Sequence, residues 1–300
     1  MSEIARYIVV TRAAARLRSR AIVGVRRAVG QFLLYLVLTA LAAILLVPLA
    51  YMVSTSLKVR GTELALPVRW LPSPVAWENY PETITMRPFH LYLRNTLIVV
   101  AGAMSGTLLT SSMAAYAFAR LRFPGRSLLF SVVIMTMMLP GVVTMIPTFI
   151  IFKTLGWVNT LYPLFVPAWF GGGAFNVFLF RQFFMTLPYE LEEAARIDGA
   201  GFFRTYSRIT LPLSGPVLAT VAIFSFIGNW NNFMGPLIYL TSREKFTLAL
   251  GIQTFRSEFE VRWANIMVAA TIMTVPCFFV FFFFQRFFFQ GVVMSGISGR

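Results

Sequence analysis

The sequence predicts an all-α polytopic membrane protein with six transmembrane helices, and three of its features carry that expectation. Hydrophobic residues fill 58% of the 300 positions and charged residues only 12%, about half the ~25% charged share of a typical soluble domain. Long apolar runs recur, each near the ~20 residues that a helix needs to cross a bilayer. The formal charge of +15 sits mainly in the N-terminal tail and in short connections between those runs. That distribution is the footprint of membrane topology and not of a nucleic-acid surface, so no nucleic acid is expected as a partner.

Residues 1–30 form a basic tail carrying Arg6, Arg12, Arg16, Arg18, Arg20, Arg26 and Arg27. The apolar run behind it is long enough to span, so the start does not read as a cleavable signal peptide. A single transmembrane domain then occupies 31–300, with spans near 32–53, 93–118, 128–152, 161–183, 216–240 and 264–288. Between the first two, Pro67, Pro72, Pro74 and Pro81 with Trp70, Trp77 and Tyr80 suggest an ordered, extended segment at headgroup level. Gly102-x-x-x-Gly106 in the second span marks a close helix contact. The fourth span has weak helix propensity, because Pro163, Pro167 and Gly171-Gly172-Gly173 interrupt it. Neighbouring helices or local kinks then have to satisfy its backbone. The phenylalanines between 278 and 289 read as lipid-facing or interhelical filling.

Lysines and arginines set the orientation. The tail and the tight turn with Arg120, Arg122 and Arg126 belong in the cytoplasm by the positive-inside tendency, which puts both termini there. The same tendency places the loop 185–215, with Arg196, Arg204 and Arg208, on the cytoplasmic side. Segments 54–92 and 241–263 then face outward. Several chemistries are excluded. No Gly-x-x-x-x-Gly-Lys-Ser/Thr loop occurs, so the chain is not expected to hydrolyse ATP. Cys277 is the only cysteine, which leaves no disulfide or multi-cysteine metal cluster, and the only histidine, His90, reads as an interfacial residue. The six spans hold no Asp or Glu, which argues against a proton-coupled carrier, and no nucleophile–base pair suggests an intramembrane enzyme.

One polar island interrupts the apolar pattern: Glu193-Ala194-Ala195-Arg196-Ile197-Asp198-Gly199, followed by Ile209-Thr210-Leu211-Pro212. Pro188 suits a first helical position, and Glu190, Glu192 and Glu193 favour the positive end of a helix dipole. Gly199 permits a left-handed turn out of the helix. The island resembles the EAA loop of ABC importer permeases, matching it at every fixed position. The resemblance implies the type I importer permease fold, with Glu193, Ala194, Ala195, Asp198, Gly199, Ile209, Leu211 and Pro212 on a cytoplasmic coupling helix and its flank that dock on an ATPase.

A second stretch, Asn229-Trp230-Asn231-Asn232-Phe233 then Pro236-Leu237, is similar to a fifth-span signature of sugar permeases. Thr247-Leu248, Gly251, Pro72, Asn79-Tyr80 and Asn95-Thr96 also fit that subfamily, most like the smaller permease of maltose-type systems. Asparagines in a span either line water or a substrate path or bond to another helix. Asn229, Asn231 and Asn232 suit sugar hydroxyls, and Trp230 offers a ring to stack on a sugar face. Both readings stay open from sequence.

The resemblance implies a transport subunit in a bacterial or archaeal inner membrane, working by alternating access with several partners. These are a second homologous permease, two ATPase subunits that carry ATP and Mg, and an extracytoplasmic solute-binding protein; the chain itself binds no cofactor or metal. The external loop, with Arg243, Glu244, Lys245, Gly251, Arg256, Glu258, Glu260 and Arg262, is expected to meet the binding protein, its glycine shaping a turn that enters a cleft. The alternatives are the same architecture importing a polyamine, phosphate or metal, and an ion-coupled secondary carrier.

Overall fold

The computed structural model describes the backbone of residues 2–256 and 261–297, with side chains for 27–256 and 261–285. Glu258, Glu260, the tail arginines up to Arg26 and the last phenylalanines fall outside the described side chains. Fourteen α-helices follow one another: α1 Ser2–Ser56, α2 Asn79–Met86, α3 Phe89–Arg120, α4 Arg126–Thr136, α5 Gly141–Thr154, α6 Tyr162–Phe165, α7 Ala174–Thr186, α8 Glu190–Ile197, α9 Phe202–Thr205, α10 Leu211–Leu213, α11 Gly215–Trp230, α12 Met234–Tyr239, α13 Leu248–Gly251 and α14 Trp263–Ile297. Among the described residues the only extended pairing is an isolated antiparallel bridge between Arg256 and Val261. Among the described residues four helices are long and apolar enough to cross a membrane, and six crossings result if two bent pairs each count as one.

The long helix α3 organises the bundle, packing on α7 and α11, while α14 packs on α11 and α1. Its two glycines admit aromatic rings from the fourth span. A Cβ at Gly102 would stand 2.7 Å from the Phe165 ring, and one at Gly106 would stand 2.7 Å from Trp169. The close contact expected from Gly102-x-x-x-Gly106 is therefore ring on backbone. Trp169 also donates its indole N–H to the Gly102 carbonyl at 3.0 Å.

Three of the expected spans depart from straight helices. The fourth breaks between α6 and α7 through a 3₁₀ turn at Val166–Trp169 and three glycines with φ of 101°, 64° and 91°. Neighbours satisfy the freed carbonyls: Thr110 Oγ1 donates to Ala168 at 3.0 Å and Asn176 Nδ2 to Gly172 at 2.7 Å. The third is not one helix over 128–152, for α4 and α5 meet at 98° where Pro140 lacks an N–H and bars helical backbone before it. The fifth is likewise not continuous over 216–240. Its helix stops at Trp230 before resuming as the six residues of α12, and an 80° bend between Phe202–Leu213 and Gly215–Trp230 lies just ahead of it.

The segment between α1 and α2 is ordered as expected. Asn79 Nδ2 donates to the carbonyls of Ser56 and Lys58, both at 2.9 Å, and Ser54 Oγ donates to Trp70. No helix break separates the basic tail from the first span, since α1 runs through both.

Candidate functional sites: the coupling surface and the opposite face

The polar island folds into α8, eight residues with Glu190, Glu192 and Glu193 in the first turn. Its last turn closes on Gly199, whose φ of 78° is the left-handed conformation that glycine adopts without a Cβ clash. Gly199 N–H donates to Arg196 at 3.0 Å and Ala200 N–H to Ala195 at 2.8 Å, so the final carbonyls find partners. Only Glu192 and Ala195 of this helix are buried. Glu193, Ala194, Asp198 and Gly199 are exposed, and Ile197 (87%) and Phe203 (70%) stand out into solvent beside Tyr189 and Phe202. Several large apolar side chains left exposed beside the acidic turn of one short segment fit a protein partner.

The eight residues of the expected coupling loop divide into two groups. Ile209, Leu211 and Pro212 are not on the exposed helix; they lie at the bend into the fifth span, where Leu211 packs against the core of Tyr116, Phe180 and Val221. Ile209 lies in a π-helical turn over Tyr206–Thr210 that leads into Leu211 and Pro212 and is pinned to α3 by Tyr206 Oη and Ser112 Oγ at 2.8 Å.

Behind α8 lies a contact that sequence reading missed. Arg120, the last residue of α3, has a side chain fully removed from solvent. Its Nη2 donates to the carbonyls of Phe184 and Leu187 at the end of α7. Its Nε stands 3.1 Å from Glu192 Oε1, and its guanidinium lies 4.2 Å over the Tyr189 ring. Burial raises the Glu192 carboxyl above its ordinary 4.5, and the nearby charges of Arg120 and Arg196 pull it back only in part. In sequence Arg120 was one of three clustered arginines and Glu192 one of three glutamates, so no local signal set the pair apart.

At the opposite face, Arg243, Glu244 and Lys245 form an exposed 3₁₀ turn. Three residues hold it in place. Asn95 Nδ2 donates to the carbonyls of Glu244 (2.8 Å) and Phe246 (3.0 Å), and Thr96 Oγ1 accepts the Leu248 N–H at 2.8 Å. Asn159, also overlooked in sequence, sits at φ 59° and accepts the N–H groups of Thr241 (3.2 Å) and Ser242 (3.0 Å) on Oδ1. Its Nδ2 donates to Ser242 Oγ at 2.8 Å. Asparagine's known tolerance of positive φ was the one available signal. Gly251 shapes no projecting turn: it is helical and buried, and a Cβ there would meet the Tyr92 ring at 2.4 Å.

The asparagine-rich stretch terminates a helix. Asn229 Nδ2 donates to the Ser225 carbonyl at 2.7 Å and Asn231 Nδ2 to Ile227 at 3.0 Å, each turning back onto its own helix. Asn232 Oδ1 accepts the Gly235 N–H at 3.1 Å and so starts α12. Trp230 is 3% exposed, stacked on Phe226 and donating to the Met273 carbonyl at 2.9 Å. It takes the interhelical role, and its ring is not open to stack on a sugar in this conformation. Asn231 remains exposed and Asn229 and Asn232 half-buried. Among the described residues no group of three or more His, Cys, Asp or Glu side chains could hold a metal.

A bundle of apolar helices that exposes a short acidic helix at one end is the architecture of a membrane-embedded subunit. Residues 85–294 match the family model for the binding-protein-dependent transport system inner membrane component, and the chain belongs to that family. It is 32% identical over 247 residues to the diacetylchitobiose uptake system permease protein NgcG of Streptomyces coelicolor, covering 82% of each chain. It is 40% identical over 194 residues to the arabinooligosaccharides transport system permease protein AraQ of Halalkalibacterium halodurans, 64% of this chain and 68% of that one. With the sn-glycerol-3-phosphate transport system permease protein UgpE of Yersinia enterocolitica it shares 34% identity over 238 residues, 77% and 84% of the two chains. Its fold is similar to a chain of a bacterial ABC transporter involved in import of the acidic polysaccharide alginate, with a TM-score of 0.74 and 25% identity, covering 90% of this chain and 98% of that one. The protein is thus an inner-membrane permease subunit of an ABC importer with the type I fold.

Proposed function

We propose that this permease carries a sugar or oligosaccharide inward by alternating access, as one of two homologous membrane subunits. Two ATPase subunits bind ATP and Mg and dock at the α8 end, which faces the cytoplasm together with both termini. A solute-binding protein delivers cargo at the opposite face, against the exposed turn of Arg243, Glu244 and Lys245. Closing of the ATPase pair pushes the coupling helices together and rotates the spans as rigid bodies between inward-open and outward-open states.

The observation that carries this reading is the α8 surface, eight residues of which only two are buried, capped by a left-handed Gly199. The cargo class is supported by the relatives that carry diacetylchitobiose and arabinooligosaccharides. The glycerol-3-phosphate relative favours a second reading, a phosphorylated polyol. The neutral amides of Asn229, Asn231 and Asn232 suit uncharged hydroxyls better, because phosphate recognition calls on arginine or lysine. Reconstitution with the partner subunits tests the proposal by measuring co-purification, stimulated ATP hydrolysis and uptake. Glu193→Lys is expected to shed or idle the ATPase, a loss of ~2–5 kcal/mol if its exposed carboxylate becomes buried against a basic group. Wild-type uptake by that variant, or hydrolysis by the chain alone, overturns the reading.

A further inference from the structure

We propose that Arg120 is the positioning residue that transmits force between the coupling helix and the bundle, through a three-way contact joining α3, α7 and α8. The inference rests on the proposed ATPase coupling and deepens it. A coupling helix transmits motion only through the side chains that seat it, and in α8 those are Glu192 and Ala195. Ala195 offers a methyl group. Glu192 reaches Arg120, 3.1 Å away, and both side chains are almost wholly buried, at 6% and 0% exposure.

Arg120 does more than balance that charge. Its Nη2 holds two carbonyls at the end of α7, and its flat face lies under Tyr189 at the entry to α8. One planar guanidinium therefore bridges the end of the central helix, the end of the fourth span, and the entry and first turn of α8. A planar fork with several fixed donors suits that task, whereas lysine offers a single point charge that neither stacks nor spans two carbonyls. Because the contact is buried, salt screens it little. Movement of α8 under an ATPase is passed to α3 and α7 together. The exposed face that meets the partner, Glu193, Ala194, Ile197 and Asp198, takes no part in the contact.

The two faces of α8 separate docking from transmission, and the test exploits that. Four variants, Arg120→Ala, Arg120→Lys, Glu192→Ala and Glu192→Gln, are purified as the full reconstituted complex in proteoliposomes with binding protein and cargo. Co-purified ATPase, ATP hydrolysis and uptake are measured together, and the readout is uptake per ATP hydrolysed. Arg120→Ala and Glu192→Ala are expected to keep the ATPase bound and hydrolysing while uptake per ATP falls about tenfold, within the range of measured coupling energies. Arg120→Lys restores part of it. Glu192→Gln, which keeps an acceptor at the same place, restores more.

An assembled Glu192→Ala complex with wild-type uptake per ATP overturns the proposal, even if Arg120→Ala fails to fold. Loss of the ATPase subunit from Glu192→Ala overturns it equally, because the contact would then hold the docking face and not transmit from it. Failure of the coupling reading itself is distinguishable, since the wild-type complex would then show no cargo-stimulated hydrolysis at all.

Discussion

Asn159 offers the sharpest test of how the outer turn is held. Its side chain binds the backbone N–H of Thr241 and Ser242 and the hydroxyl of Ser242, while its own backbone sits at φ 59° and donates to Tyr239 at 2.7 Å. Alanine here loses the bonds to both amides and the one to the Ser242 hydroxyl, at ~0.5–1 kcal/mol each because Thr241 is exposed and Ser242 half-buried, so that water reaches the groups in part. It also places a Cβ in the left-handed region, at a further ~1–2 kcal/mol. The sum is ~3 kcal/mol. Glycine loses the same bonds without the strain, so ~2 kcal/mol is expected. Aspartate keeps both acceptors and gives up only the donor to Ser242, for ~1 kcal/mol or less. The order of destabilisation is therefore Ala, Gly, Asp. Hydrogen exchange at the Thr241 and Ser242 amides reads it directly, with exchange fastest in Asn159→Ala. If the turn presents Arg243, Glu244 and Lys245 to the binding protein, stimulated hydrolysis falls in the same order. Wild-type exchange in Asn159→Ala, or a glycine variant worse than alanine, refutes the argument.

At Gly199 no atom lies within 4 Å of a built Cβ, so the cost of Gly199→Ala is conformational, ~1–2 kcal/mol, and appears as fraying of α8 and weaker ATPase co-purification with the melting temperature of the spans unchanged. Gly106→Ala drives a Cβ to 2.7 Å from Trp169 and is expected to destabilise the bundle by ~1–3 kcal/mol, a loss that Trp169→Ala partly relieves in a double-mutant cycle. Burial raises the Glu192 carboxyl above 4.5, so folding favours its protonated form relative to the unfolded chain; this contribution is complete below the unfolded value and is lost as pH rises through the raised one. Glu192→Gln removes the titration, and the gap in melting temperature between variant and wild type should widen in the variant's favour from pH ~4 upward through the raised value; a gap independent of pH contradicts it.

The class of this protein was legible from sequence because it depends on composition and local pattern. A run of about twenty apolar residues is long enough to cross a bilayer, and its length is counted within the run itself. The acidic first turn of α8 and the left-handed Gly199 likewise follow from chemistry within one short segment. The glycines at 102 and 106 announced a close approach, though not that its occupants would be Phe165 and Trp169. The tertiary structure decided matters that involve residues far apart in the chain. Hydropathy carried 216–240 through as one span, since it does not register that Asn231 and Asn232 turn their amides onto nearby backbone and end the helix. Trp230 looked equally suited to a sugar and to a neighbouring helix until packing set it against Phe226 and the Met273 carbonyl. Arg120 and Arg122 count alike for topology, yet the first is buried between three helices and the second is exposed. A charge shows its sign in the sequence, but what its burial costs and which partner offsets it exist only once the helices have packed.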